Sequence, residues 1–280
     1  MQYKLKAGVL VLLLMVLLVP DAALAQRSRF GFVPNRSKTD PIDTNLPVDP
    51  DGSEFHFVRL IYGGGGGSDK FYGRGLSWTT DWPEAEHFFI QGVKRLTNVD
   101  VTSVSLPNGQ GGERIKLGVD NVYDYPFLYA VEVGHWNLTD DEAAILRDYL
   151  LRGGFFIVDD FHGTREWEVF MASMRKVFPD RPVVELDESN EIMHTVYDLD
   201  KKIQIPGLAA LYNGVTYEYD GYKPDWRCIY DDHGRLMVVI NHNMDMGDAW
   251  ENADLPEYPE KMTALAYRFA VNYVVYSMTH

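Results

Sequence analysis

A chain of 280 residues that is 46% hydrophobic, 13% aromatic and 24% charged is long and apolar enough to bury a large core, which excludes a disordered, collagen-like or disulfide-scaffold protein. Its formal net charge of -15 argues against a broad basic face, so no nucleic-acid partner is expected.

The chain opens with Lys4 and Lys6, an uncharged run from Ala7 to Val19, Pro20, and the small-residue stretch Ala23-Leu24-Ala25. A basic start, a short apolar run and small residues make the pattern of an export signal, with cleavage expected after Ala25. The apolar run is short of the ~20 residues that span a bilayer. Residues 1–25 therefore read as a removed signal, and the product as periplasmic and soluble, with no stable membrane insertion. Residues 26–53, rich in Arg, Ser, Asn, Asp and Pro, read as a flexible arm. Residues 54–280 contain neither a long low-complexity linker nor a repeat, and read as a single α/β domain.

Within that domain, residues 55–62 have strand composition and end in the glycine run 63–67. Trp82-Pro83-Glu84 opens a helix reaching Leu96, with Phe88, Val93 and Leu96 on its apolar side. Strands follow at 99–106 and 127–133, separated by a turn or excursion beginning at 107–113. Thr139-Asp140-Asp141-Glu142 is a capping box; its helix stops at Gly153-Gly154, and Phe155-Phe156-Ile157-Val158 is a buried strand. A helix over 167–178 and strands at 183–186, 215–219, 227–230 and 236–240 come next. Asp232-His233-Gly234 is the hairpin turn between the last two strands. A helix over 261–276 closes the chain. Strand, capped helix, glycine turn and apolar strand in that order predict a mainly parallel sheet covered by helices, with a C-terminal antiparallel extension.

Six stretches carry a family resemblance: Phe57-Val58-Arg59-Leu60, Thr80-Asp81-Trp82-Pro83, Tyr125-Pro126-Phe127-Leu128-Tyr129, Leu150-Leu151-Arg152-Gly153-Gly154-Phe155, Asp159-Asp160-Phe161-His162-Gly163 and Thr263-Ala264-Leu265-Ala266-Tyr267-Arg268-Phe269. Through them the chain resembles the exported bacterial family of domain of unknown function 4159 over about residues 55 to 280. That resemblance implies a three-layer α/β fold of the flavodoxin-like or class I glutamine amidotransferase-like kind. The cysteine chemistry of the amidotransferases does not carry over, because the sole cysteine, Cys228, sits inside a late strand rather than at a strand-to-helix turn. It reads as a packed residue, and one cysteine allows no intrachain disulfide.

The candidate site begins at Asp159, Asp160 and His162, which follow an apolar strand where parallel sheets commonly bind ligands. These three are the candidate catalytic residues; adjacent aspartates need a cation, water or donors to offset their repulsion. The competing reading is a helix cap. His135, with Glu132 beside it, follows another strand and belongs to the same candidate ligand set or to a surface loop. The stretch 241–251 adds His242, Asp245, Asp248 and Trp250 as ligand candidates, while Asp160, His162 and His242 are the candidates for a divalent metal. It lacks the spacing of a zinc hydrolase or a calcium loop.

The glycine run 63–67 has no phosphate-loop motif, so no nucleotide cofactor is supported. Aromatic residues in 217–227 read as core closure or as a rim for a sugar face. Three functions are compatible with these residues. The first is a noncatalytic recognition or accessory protein for an envelope carbohydrate or peptide; the others are a metal-dependent hydrolase using the Asp/His set and a structural subunit contacting another envelope protein.

Overall fold

The computed structural model describes residues 52, 54–63, 77–109, 112–199 and 201–280. The expected signal, most of the arm and residues 64–67 of the glycine run lie outside them.

The described chain is an α/β structure around one seven-stranded mixed sheet. Its strands are β1 (Val58–Ile61), β2 (Glu113–Lys116), β3 (Phe127–Val131), β4 (Phe155–Asp159), β5 (Val184–Glu185), β6 (Asp225–Tyr230) and β7 (Leu236–His242). They lie side by side in the order β2-β1-β3-β4-β7-β6-β5. The ladders from β2 through β7 are parallel, whereas β7 with β6 and β6 with β5 are antiparallel.

Among the described residues six α-helices accompany the sheet: α1 (Glu84–Leu96), α2 (Asp140–Leu151), α3 (Gly163–Val177), α4 (Leu208–Tyr212), α5 (Met246–Glu251) and α6 (Glu260–Thr279). Side chains alternate across each strand, and the alternation sorts two cores. Phe57, Phe127, Tyr129, Phe155 and Ile157 join Phe89 of α1, Trp250 of α5 and Phe269 and Tyr273 of α6 in one cluster. On the other face, Trp136 lies between Phe156 of β4 and Phe170 of α3, with ring centroids at 6.3 and 5.5 Å. Helices on both faces make the three layers. No helix among the described residues is long and apolar enough to cross a membrane.

Three local expectations change. The β-branched stretch 99–106 is not a strand; only Val101 makes a bridge, to Phe55, while Val101 and Val104 are buried as irregular chain. The second strand is instead the charged Glu113–Lys116, which lies at the sheet edge, where polar side chains are tolerated. Residues 215–219 are irregular chain that enters a turn at Tyr219, where φ is 47°, rather than strand, and α4 precedes them. On α1 the buried face is Ala85, Phe89, Ile90 and Val93, leaving Leu96 46% exposed. The capping box is present in full: Thr139 Oγ1 accepts from the Glu142 amide at 3.2 Å, and Glu142 accepts from the Thr139 amide at 2.8 Å. Gly234, at φ 85°, turns the chain between β6 and β7.

The chain runs from β1 outward to β2, then returns to β3 on the opposite side of β1. Such a reversal opens a crevice beyond the carboxyl ends of the parallel strands.

Candidate functional site

Three of the parallel strands, β3, β4 and β7, end in an acid or lead into one at that end of the sheet. Beyond β3 comes Glu132, β4 ends in Asp159 followed by Asp160, and β7 leads through Asn243 and Met244 to Asp245. Glu132, Asp160 and Asn243 have φ of 54°, 52° and 61°, so the backbone bends sharply where each strand stops. The bends are cross-tied: the Glu132 amide donates to the Asp159 carbonyl at 3.2 Å, the Asp160 amide to the Met244 carbonyl at 3.0 Å, and the Asn243 amide to the Phe161 carbonyl at 3.0 Å. Tyr62, just past β1, places its hydroxyl 2.7 Å from the Val131 carbonyl and 2.9 Å from that of Glu132.

A fifth acid, Asp81, comes from the turn before α1. Arg59 in β1 fixes that turn: its guanidinium donates to the carbonyls of Trp78 at 3.1 Å and Thr80 at 2.8 Å, and is paired with Glu86 of α1. The pair is completely buried, and attraction by Glu86 holds Arg59 above its ordinary range against the cost of burial. Gly247 then lets Asp81 lie on the first turn of α5, because a side chain there would collide with Asp81 Oδ2.

Asp81, Asp160 and Asp245 are 4%, 7% and 5% exposed, and each offers a carboxylate oxygen within 4.8 Å of the other two. Burial pushes Asp160 and Asp245 well above the ordinary carboxylate range; surrounding carboxylates push the same way, Glu132 and Asp81 foremost on Asp160, and Asp160 and Asp248 on Asp245. A second group, Asp81, Asp248 and Glu251, shares Asp81. Asp248 also accepts from the Leu208 amide at 2.6 Å, which ties α4 to the rim.

Asp159 does a different job from its neighbour. Its Oδ2 accepts from the amides of Met246 at 2.8 Å and Gly247 at 3.1 Å and from the Tyr129 hydroxyl at 3.2 Å. It anchors α5, and burial pushes it up to about 7 against those donors.

A third set lies alongside. His135 Nε2 is 3.4 Å from Glu132 and 3.5 Å from Glu166, and the hydrogen bond to Glu166 raises its basicity while burial opposes. Glu132 is pushed up to about 8, mostly by desolvation. Glu166 is fixed in turn by the His162 amide, which donates to it at 2.6 Å.

The expected imidazole ligands are not part of the carboxylate trio. His162 touches it only through Nε2, 3.1 Å from Asp160 Oδ1. Burial lowers its pKa to about 4, so the ring is neutral near pH 7. His242, expected beside Asp160 as a metal ligand, turns elsewhere. Its ring is held between Phe161 and Trp167, with Nε2 3.1 Å from the Gly163 carbonyl and Nδ1 3.4 Å from Asp225. Trp250, expected at a ligand rim, is a core residue, wholly buried against Phe89 and Tyr129. The donor set is therefore oxygen rather than the mixed imidazole and carboxylate set expected. Asp81, Glu166 and Glu218 were absent from the expected site. Asp81 precedes a helix far from 159–162 in sequence, with no fixed spacing to connect them, whereas Glu166 lies in the first turn of α3, four residues after His162. Cys228 is buried in β6, and burial raises its thiol.

A family model described as a domain of unknown function, DUF4159, matches residues 56–278, and the chain belongs to that family. No curated protein matches it.

Proposed function

We propose that this member of the DUF4159 family is an exported recognition protein of the cell envelope whose binding site is a carboxylate cup holding a hard divalent cation. The observation that carries the reading is the convergence of Asp81, Asp160 and Asp245, all buried, with oxygens within 4.8 Å of one another. Three carboxylates this close do not all ionise without compensation. A cation supplies it, and an all-oxygen donor set selects Ca²⁺, Mg²⁺ or Mn²⁺ over zinc or copper. Coordination positions left open by three protein ligands would receive oxygen atoms of an envelope carbohydrate or peptide.

The finer fold reading belongs to the same proposal: the run β2-β1-β3-β4-β7 has the strand order of flavodoxin-like proteins. So does the location, which rests on the basic and apolar pattern of residues 1–25. N-terminal sequencing of protein recovered from the periplasm is expected to begin at Gln26.

Elemental analysis of untagged protein from its native compartment, with calorimetric titration of Ca²⁺, Mg²⁺ and Mn²⁺ into EDTA-treated protein, tests the cation. Near-stoichiometric binding lost in Asp160→Asn and Asp245→Asn is expected. Absence of a metal together with no binding heat for any of the three ions sinks the reading.

A catalytic reading is favoured by one further arrangement, His135 between Glu132 and Glu166. With a cation polarising a substrate oxygen or activating water, a partly exposed imidazole held by two carboxylates is placed to transfer protons. Hydrolysis of an envelope glycan or peptide that is lost in His135→Gln, while cation binding persists, would move the protein from recognition to catalysis.

A further inference from the structure

The turn at residues 217–222 carries three tyrosines beside the acidic cup, and cation binding does not account for them. Tyr219 is a non-glycine residue held at φ 47°, a conformation that persists only when its surroundings enforce it. Even so, its side chain is not used to fill the core: Tyr219 is 61% exposed and Tyr222 62%. The rings of Tyr217 and Tyr222 meet edge to face with centroids 4.7 Å apart.

The turn is fastened by polar groups from the site's own elements. Asp220 accepts from the Thr164 amide at 2.9 Å and the Thr164 hydroxyl at 2.6 Å, both in the first turn of α3. Gln204 donates to the Gly221 carbonyl at 2.8 Å, and Asn243, at the end of β7, donates to the Lys223 carbonyl at 2.9 Å. The tyrosines are thus fixed to the same end of the sheet as the aspartates.

Tyr217 and Tyr219, with Ala209, Asn213, Val215 and Glu218, line a cavity of about 250 Å³. This is smaller than the ~300–1,000 Å³ of pockets that enclose a small molecule, and suits one ring of a chain lying across the surface. Glu218 joins the cavity to the acidic site. Its Oε1 and the Oδ2 atoms of Asp245 and Asp248 converge at 3.1, 2.6 and 3.2 Å on the point where a side chain of Gly207 would begin. One wall is therefore aromatic and the other carboxylate.

That pairing selects a chemistry. A pyranose ring has a C–H face that packs on a phenol ring and hydroxyls that donate to carboxylates, while vicinal hydroxyls complete the oxygen shell of a hard cation.

We propose that the cavity lined by Tyr217 and Tyr219, with Tyr222 packed edge to face on Tyr217, seats one ring of a neutral glycan, stacked on Tyr219 with its hydroxyls turned toward Glu218 and the cation site. The inference names the ligand class of that site and rests on the cation reading for the metal contact alone.

The test titrates the full chain lacking its signal with cellotetraose, chitotetraose, maltotetraose and a neutral tetrapeptide, in calcium and in EDTA. It uses wild type, Tyr219→Ala, Tyr222→Ala and Asp160→Asn, with folding checked by circular dichroism. Tyr222 has ordinary backbone geometry, so its variant remains informative if Tyr219→Ala perturbs the turn. Saturable binding of a glycan is expected, weakened about five- to tenfold by either tyrosine variant while calcium binding is unchanged, and weakened in EDTA or by Asp160→Asn. Tyrosine-sensitive glycan binding indifferent to calcium keeps the aromatic seat and overturns the cation reading. Calcium binding without glycan binding, glycan binding insensitive to both tyrosines, or preference for the peptide overturns this inference and leaves the cation reading standing. Binding of neither calcium nor glycan overturns both.

Discussion

Asp160 occupies a position that suits asparagine in every respect but charge. Its φ of 52° is a conformation asparagine adopts readily, and the neutral His162 ring beside it supplies no positive charge. Burial and neighbouring acids both oppose its ionisation. Asp160→Asn is accordingly expected to stabilise the EDTA-treated protein at pH 8, seen as a higher denaturation midpoint, and to abolish the rise in melting temperature that calcium gives the wild type. Chemical denaturation with and without calcium checks both. A destabilised variant that still responds to calcium would mean that Asp160 is structural. The sequence brought attention to Asp160 because an apolar strand ends there. It did not separate Asp160 from Asp159, although one faces the acidic trio and the other anchors α5. Adjacent residues point to different faces, and which face meets the crevice is decided by the layer packed on each side.

At the level of elements, the most readable signal was the reciprocal one at Thr139 and Glu142, because a capping box lies within four residues and needs no tertiary partner. Thr139→Ala removes the acceptor for the Glu142 amide and is expected to cost about 1 kcal/mol, measured as a lower urea midpoint with an unchanged slope. It leaves cation binding intact, since α2 contributes no residue to the trio. Elements whose form depends on distant contacts were less legible. Residues 99–106 have strand composition, yet the place beside β1 is taken by Glu113–Lys116, whose charged side chains suit an edge. Residues 215–219 alternate like a strand, but the fastening of Asp220 to Thr164 bends them into a turn.

For the whole molecule, the acids gathered at one end of the sheet make stability depend on pH. An unfolded aspartate ionises near ~4, whereas burial holds Asp159 at about 7 and Glu132 at about 8. Below ~4 both states are protonated and the buried acids carry no charge penalty. As pH rises, the unfolded chain releases these protons while the fold retains them, so stability falls until the folded-state values are passed. The EDTA-treated protein is therefore expected to melt at a lower temperature at pH 8.5 than at pH 6. Calcium is expected to raise the melting point more at pH 8.5, where it competes with fewer protons. A melting point in EDTA that rises between those pH values would contradict this account. The acidic composition was plain in the sequence, but its concentration at one end was not, because Asp81, Glu132, Asp160, Glu218 and Asp245 meet only through strand order. Finally, Cys228 pairs with Val184 of the two-residue β5 on one side and Val239 of β7 on the other. Its side chain is wholly buried in the core cluster on one face of the sheet, so it serves as a built-in clock: a thiol reagent marks molecules in which the core over β6 has opened, and the labelling rate times that opening without any introduced probe.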